Sequence, residues 1–184
     1  VGILNVPQRE LIAQIYRNTL RLLDMINQML DVAKFDARKM QLNLSRVALD
    51  EVVSEIATVF HEVAARKSLK INYLAEDPIP ELFLDRDKID RVLSNLVRNA
   101  IKFTDRGSII IRLRRNNAFV VLEVEDTGIG IAPDQLPHIF DRFRQVDGST
   151  TRRYEGTGLG LTIVKEAVEL QHGTIAVVSE PDVG

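Results

Sequence analysis

The chain has 184 residues, with 24 Lys plus Arg against 26 Asp plus Glu and a net charge of -2. Its length suits one medium domain or a small domain with an appendage, and 45% hydrophobic residues are enough to form a core. The balanced charge disfavours binding of nucleic acid or anionic membranes by bulk charge, and the absence of Cys excludes disulfides and thiolate metal sites.

No apolar run approaches the ~18 residues that span a bilayer, and the first residues lack the anatomy of a signal peptide. We therefore expect a soluble, cytoplasmic chain with no direct membrane contact, whether or not its parent is anchored in a membrane. Because the chain begins with Val1 rather than Met, we interpret it as a fragment.

The N-terminal segment, from Leu11 to Met40, predicts one long helix. Apolar residues recur there at alternating steps of three and four positions, as in Ile12, Ile15, Leu22, Ile26 and Met29. A single amphipathic helix of this length is not stable unpacked. The pattern favours a dimer or a missing companion helix, and the alternative is a core helix of the same domain.

The remaining chain alternates strand and helix patterns, which predicts a mixed sheet covered by helices on one face. Asn116-Asn117 separates two alternating runs and gives the clearest hairpin signal. The predicted elements are strands at 40–44, 69–73 and 82–84, helices at 50–67, 86–104 and 159–170, a hairpin of 109–114 and 119–125, and a strand at 174–178.

Three polar residues share one stripe of the predicted helix at 86–104. At about 100° per residue, Asn95, Asn99 and Lys102 lie within roughly 60° of one another and away from the apolar face. A solvated surface explains such a stripe as well. The functional interpretation is a cation and phosphate site, because an amide oxygen suits Mg²⁺ and an ammonium suits phosphate.

Two glycine-containing segments offer further binding chemistry. Asp126 to Gly130 places a carboxylate at a strand end, followed by glycines that let the backbone approach a ligand; a structural turn needs the same residues. The run Asp-Thr-Gly at 126–128 also matches the catalytic segment of aspartic proteases. Such proteases pair two of these segments in a largely β framework, whereas this chain has one segment among several helices, so the protease interpretation is disfavoured. Gly156 to Leu161 opens directly into a helix, whose terminus favours an anion. Its spacing matches neither a dinucleotide fingerprint nor a Walker A loop, and protein-kinase signatures are absent.

The ordered set of segments closely resembles the N, G1, F and G2 boxes of sensor histidine kinases. The matching residues are 99–104, 126–131, 140–143 and 156–161. The resemblance implies an α+β two-layer sandwich with the Bergerat ATP-binding fold, which gyrase B and Hsp90 share. It also implies that residues 1–40 are the second helix of the dimerisation and phosphotransfer bundle, and that residues 41–184 are the catalytic domain with a truncated last strand.

The resemblance also implies a role for each matching residue. Asn99 would bind Mg²⁺, Asn95 and Lys102 would lie beside the phosphates as the other catalytic residues, and Asp126 would accept from the adenine amino group. Phe140 and Phe143 would anchor a lid that contains Arg144, Gln145 and Arg153. The implied ATP-binding residues are Asn99, Lys102, Asp126, Gly128, Gly130, Phe143, Arg144, Arg153, Thr157, Gly158, Leu159, Gly160 and Thr174.

The implied function is the ATP-binding catalytic domain of a two-component sensor histidine kinase. It would transfer the γ-phosphoryl group to a histidine-bearing helix outside this chain, for relay to a response-regulator receiver domain, in a parent that forms a homodimer. His61, His138 and His172 all lack the family's acceptor box. The alternatives are a GHKL-type ATPase or serine kinase, and a non-catalytic nucleotide-sensing module.

Overall fold

The computed structural model describes residues 4–37, 40–117, 119–144 and 157–184. The chain forms two compact units, Val1–Met40 and Gln41–Gly184. Its elements are α1 (Val6–Asp36), β1 (Ser45–Val47), α2 (Leu49–Arg66), β2 (Lys70–Ala75), β3 (Leu82–Leu84), α3 (Arg86–Phe103), β4 (Ser108–Asn116), β5 (Phe119–Asp126), a 3-10 turn (Leu136–His138) and α4 (Gly160–Leu170).

Helix α1 makes up the first unit and begins earlier than the apolar pattern predicts. Asn5 and Gln8 form a reciprocal capping box, and Pro7 lies in the first turn, where its fixed φ favours a helix. The predicted apolar stripe remains uncovered: Ile12, Ile15, Leu22, Ile26 and Met29 are between 46% and 58% exposed. Within the described ranges, no helix is both long and apolar enough to cross a membrane.

The second unit is built on a three-stranded mixed sheet in the order β2-β4-β5. Strand β4 pairs in parallel with β2 and antiparallel with β5. Every second residue of β4 is fully buried, as at Ile109, Ile111 and Leu113, whereas the residues between them are partly exposed. Helices therefore cover one face of the sheet, as the sequence predicts.

Strands β1 and β3 form a separate antiparallel pair in which Ser45 lies opposite Leu84. The predicted strand at 40–44 is wrong. The backbone N–H of Asn43 donates to the carboxylate of Asp85 at 2.9 Å instead of to a strand, so pairing starts only at Ser45.

The predicted strand at 174–178 is also wrong. These residues make no backbone hydrogen bond with another described residue, and Val178 is 96% exposed. The chain beyond them bonds elsewhere: Asp182 N–H donates to the Ile129 carbonyl at 2.9 Å, and Ile131 N–H donates to Ser179 Oγ at 2.8 Å. An alternating pattern gives a segment one apolar face, but a strand also needs a neighbouring strand whose backbone groups pair with its own.

The main core lies between the sheet and helices α2 and α3. Val92, Leu93, Val97 and Ala100 are buried on the predicted apolar face of α3, which leaves the polar stripe on another side of the helix. Helix α4 packs against α3. The packing brings the polar stripe of α3 beside the start of α4.

Candidate functional site

The polar stripe of α3 meets the first residue of α4. Asn95 donates from Nδ2 to the Arg91 carbonyl at 2.9 Å, which fixes the orientation of its amide. A Cβ atom on Gly160 would lie 3.2 Å from Asn95 Oδ1. Glycine at this position thus lets the start of α4 approach the stripe closely.

Asn99 and Lys102 lie about one and two helical turns further along and are half-buried. The Asn99 amide makes no hydrogen bond with another residue in the described part of the chain, so its oxygen is available to a ligand. The Lys102 ammonium lies 4.5 Å from the centroid of the Phe103 ring, and burial lowers the pKa of Lys102. No carboxylate in the described part of the chain pairs with this ammonium, and a desolvated ammonium gains strongly from a bound anion.

Asp126 ends β5 with its carboxylate held in place. Oδ1 accepts a hydrogen bond from the Gly128 N–H at 2.9 Å and one from the Thr104 hydroxyl at 3.3 Å. Thr104 is fully buried at the end of α3. With Oδ1 fixed by two donors, Oδ2 is left to accept from a ligand.

The segment after Asp126 needs its two glycines for close packing. A Cβ atom on Gly128 would lie 2.6 Å from both Asp126 Oδ1 and the Phe103 carbonyl oxygen. Gly130 has a φ of +62°, and a Cβ atom there would lie 2.0 Å from the Glu180 carbonyl oxygen. Close backbone packing therefore explains why both positions are glycine, and it is compatible with their predicted place beside a ligand.

The backbones of Phe143 and Gly158 pack closely and form a hydrogen bond. Phe143 N–H donates to the Gly158 carbonyl at 3.1 Å. Gly158 has a φ of +70°, and a Cβ atom there would lie 2.7 Å from the Phe143 carbonyl carbon. Arg144 pairs with Asp141 at 3.4 Å. The predicted lid residues Gln145 and Arg153 lie outside the described residues.

The start of α4 presents free backbone donors. Leu159, the N-cap residue, is buried, and its N–H donates to Thr157 Oγ1 at 3.2 Å. No side chain of the described residues caps α4, and its first turn carries no acidic residue. The orphan N–H groups and the positive end of the helix dipole therefore suit an anion.

Residues 84–184 match the family model described as histidine kinase-, DNA gyrase B-, and HSP90-like ATPase. The chain belongs to this ATPase family. The resemblance drawn from the four sequence segments is thus confirmed, as is the fold of helices and a mixed sheet preceded by a long helix.

Curated relatives of this ATPase domain include histidine kinases. The chain is 44% identical to hybrid signal transduction histidine kinase D of Dictyostelium discoideum over 88% of its own length and 11% of that protein. It is 40% identical to sensor histidine kinase TmoS of Ectopseudomonas mendocina over 92% of its length and 18% of that protein. The chain thus spans less than a fifth of the length of either relative.

Solved structures of histidine kinases share the fold. Full-length ShkA, crystallised in complex with AMPPNP, superposes with a TM-score of 0.79 at 28% identity, covering 91% of this chain and 35% of that one. Histidine kinase AdeS of Acinetobacter baumannii, at 22% identity, superposes with a TM-score of 0.78 over 98% of this chain and 83% of that one.

Several contacts that position the site of this ATPase domain have no signature in the sequence. Arg142 pairs with Glu166 of α4 at 2.7 Å, and the Thr162 hydroxyl donates to the Phe140 carbonyl at 2.9 Å. Both contacts tie the predicted F box to α4. Conversely, Thr174 is exposed and makes no hydrogen bond with a described residue, so its place near adenine stays a prediction.

Replacing Lys102 by Met is expected to weaken Mg²⁺-ATP binding about tenfold while leaving adenosine binding unchanged.

The change of Lys102 to Met should also stabilise the fold at neutral pH. Because burial lowers the pKa of Lys102, the unfolded chain holds this proton more tightly, so the charged group opposes folding. That cost disappears as the pH rises through the interval between the folded and unfolded pKa values, the latter near 10.4.

Calorimetric titrations and urea unfolding at pH 7 and pH 10 check both parts of this prediction. Lys70→Met is the matched control, since Lys70 is exposed at the start of β2. A Lys102→Met variant that binds ATP as tightly as the parent chain would contradict the phosphate role.

Proposed function

We propose that this chain contains the ATP-binding catalytic domain of a two-component sensor histidine kinase, which transfers the γ-phosphoryl group of ATP to a histidine outside the chain. One observation carries the proposal: the polar stripe of α3 meets the start of α4, which no described side chain caps, while the end of α3 holds the Asp126 carboxylate through Thr104. The carboxylate that would recognise the base and the helix end that would bind the phosphates thus both contact α3. Family membership and histidine kinase relatives support the proposal.

The residues present fit Mg²⁺ as the accompanying cation. Among the described residues no cluster of three His, Asp or Glu side chains forms a metal centre, and the Asn99 amide oxygen would be a ligand of the ion. Phosphate oxygens and water would complete the shell, in keeping with the preference of Mg²⁺ for mixed coordination. The ion would neutralise charge on the phosphate chain.

The protein's own groups would mainly position the nucleotide. Asp126 would accept from the adenine amino group, and Lys102 with the N–H groups of α4 would hold the phosphates. Phosphoryl transfer gains most from such positioning and from charge stabilisation, because the protein need form no bond itself. Asn95, fixed by the Arg91 carbonyl, would stand at the phosphate end.

The acceptor would come from another helix or chain. His61 and His172 are exposed, and Nδ1 of His138 pairs with Asp141 at 3.0 Å. We assign Val1–Met40 to a dimerisation and phosphotransfer bundle and Gln41–Gly184 to the catalytic domain. The partners would be a histidine-bearing helix of the parent or its dimer mate, and a response-regulator receiver domain.

Phosphotransfer to a detached acceptor tests the proposal. The chain is incubated with Mg²⁺ and γ-labelled ATP, with and without the histidine-bearing bundle of a sensor histidine kinase. We expect acid-labile label on the bundle alone, lost in the Asn99→Ala variant and kept in Asn72→Ala, which removes an exposed amide from β2.

Other outcomes would favour the alternatives. Phosphate release without an acceptor would indicate an ATPase, and acid-stable label on serine would indicate a serine kinase. ATP binding without any turnover would indicate a nucleotide-sensing module. Acid-labile phosphohistidine formed by this chain alone would contradict an external acceptor.

A further inference from the structure

The last four carbonyl groups of α3 are all satisfied, and one side chain serves two of them. The last four carbonyls of a helix have no partner within it. Thr104 N–H donates to the Ala100 carbonyl at 3.0 Å, and Ile129 N–H donates to the Phe103 carbonyl at 3.2 Å. The Lys67 ammonium donates to the two between them, those of Ile101 at 2.8 Å and Lys102 at 3.2 Å.

The same ammonium also reaches the carbonyl of Thr104 at 3.5 Å. An ammonium has three donors, so Lys67 can serve all three carbonyl oxygens at once. Its positive charge also lies at the negative end of the α3 dipole, where a cation is stabilising. No local sequence motif predicts this contact, because Lys67 lies 34 positions from Ile101.

The backbone of Lys67 is itself held in place. Lys67 is the C-cap of α2, and Ser68 follows with a φ of +59°. Leu69 N–H donates to the Ala64 carbonyl at 3.0 Å, and Ser68 N–H donates to the Ala65 carbonyl at 2.9 Å. This pair of bonds is the Schellman arrangement that ends a helix firmly, and Leu69 is buried beyond it. The Lys67 side chain therefore extends towards α3 from a fixed base.

We infer that Lys67 is a positioning residue for the nucleotide site, acting by capping the helix that carries Lys102 and Thr104. The last turn of α3 bears the phosphate-side ammonium of Lys102, and directly after it the Thr104 hydroxyl fixes Asp126 at 3.3 Å. Lys67 touches the backbone of both residues. The inference rests on the proposed function, since it assigns Lys67 to the site that would bind ATP.

Loss of the cap acts on the site without removing any ligand-contacting group. Without the ammonium, the carbonyls of Ile101 and Lys102 lose their donor and must form hydrogen bonds with water instead. The last turn of α3 then frays. ATP must then reorder this turn when it binds, and such ordering reduces affinity. Lys67→Met keeps the aliphatic stem and should weaken Mg²⁺-ATP binding about tenfold in the folded protein, a loss typical of hydrogen bonds to a charged group.

The test compares Lys67→Met with Lys67→Arg and with Lys70→Met in the full chain. Lys70 is three positions away and exposed on β2, so its variant removes the same charge without touching α3. We expect Mg²⁺-ATP affinity, measured by calorimetry at a temperature where every variant is folded, to fall for Lys67→Met alone and to recover largely in Lys67→Arg. If Lys67→Met does not fold, Lys67→Gln replaces it, because its amide keeps donors with a shorter reach.

Hydrogen exchange separates positioning from a general loss of stability. Exchange of the Thr104 and Ile129 amides should accelerate in Lys67→Met, whereas amides of β4 in the core should not change. Equal acceleration at all amides, or wild-type ATP affinity in a folded Lys67→Met variant, would overturn the inference. Failure of the parent chain to bind Mg²⁺-ATP would instead contradict the proposed function. The two failures can be distinguished, because the exchange result does not depend on nucleotide.

Discussion

Replacing Asp126 by Asn is expected to lower the affinity for ATP and for adenosine by the same factor, about 100-fold. The geometry gives the reason. Oδ1 of Asp126 is already occupied by the Gly128 N–H and the Thr104 hydroxyl, so the other oxygen is the one that would accept from a ligand. In the variant, an NH₂ group must take one of these two places.

Either orientation of the new amide loses a hydrogen bond. If the NH₂ group faces the ligand, two donors would meet, because the proposed function places the adenine amino group there. If it faces inward, it confronts the Gly128 N–H. A site built to accept a hydrogen bond discriminates strongly when its polar groups are left unpaired, which is why the expected loss exceeds that for Lys102→Met.

Calorimetric titration with ATP and with adenosine measures this effect, and Asp134→Asn serves as the control. Asp134 is exposed, and its carboxylate accepts from Gln135 at 3.0 Å. The nucleoside comparison gives each variant its own signature: Asp126→Asn should weaken both ligands, and Lys102→Met should weaken only ATP. Unchanged adenosine binding in Asp126→Asn would place the base elsewhere.

Local patterns predicted much of the fold because they depend on neighbours in sequence. The hairpin at Asn116-Asn117 is present, and Asn117 adopts the left-handed backbone (φ +52°) that such turns require. The buried face of α3 follows from its helical period. The strands expected at 40–44 and 174–178 are absent, because strand formation depends on a distant partner that no local pattern reveals.

The predicted site residues were those whose chemistry is visible in the residue type. Asn95 and Gly160 do lie together, and Asp126 does end its strand. The groups that hold them were not predicted, since each acts across a long sequence separation. Lys67 caps a helix 34 residues away, and Arg142 pairs with Glu166 across 24 residues. Such pairs arise only once the chain is folded.

Asp85 is the clearest case of a residue whose importance appears only in the structure. It is the N-cap of α3, where its carboxylate accepts from the Lys88 N–H at 3.2 Å and from the Asn43 N–H at 2.9 Å. Its own N–H donates to Gln171 Oε1 at 2.7 Å, at the end of α4. Asp85 thus joins three separate segments while being only 3% exposed.

Asp85→Ala is expected to lower the free energy of unfolding by about 3 kcal/mol at pH 7, because it removes a helix cap and leaves buried donors unpaired. The matched control is Asp87→Ala, which removes an exposed carboxylate from the first turn of the same helix. That change should cost less than about 0.5 kcal/mol. Urea unfolding followed by circular dichroism measures both values, and similar losses for the two variants would contradict the role of Asp85.

The pH dependence of Asp85 has a definite sign. Burial of Asp85 tends to raise its pKa, but hydrogen bonds from Asn43 and Lys88, together with the charge of Lys88 at 3.6 Å, outweigh burial and lower it. The folded state therefore holds this proton less tightly than the unfolded state, whose pKa is near 3.9. The stabilising contribution is fully present above that value and is lost as the pH falls through the lower folded-state pKa.

Asp85→Asn removes this charge while its amide oxygen can still cap the helix. The NH₂ group then replaces the oxygen that accepts from the Asn43 N–H, which adds a constant cost, so only the part of the effect that varies with pH reports the charge. The gap in unfolding free energy between this variant and the parent chain should stay constant from pH 7 to about pH 5 and narrow below about pH 4. A gap that widens as the solution is acidified would show that the carboxylate does not stabilise the fold in its charged form. The junction of α3 with Asn43 and Gln171 would then depend on hydrogen-bond geometry alone.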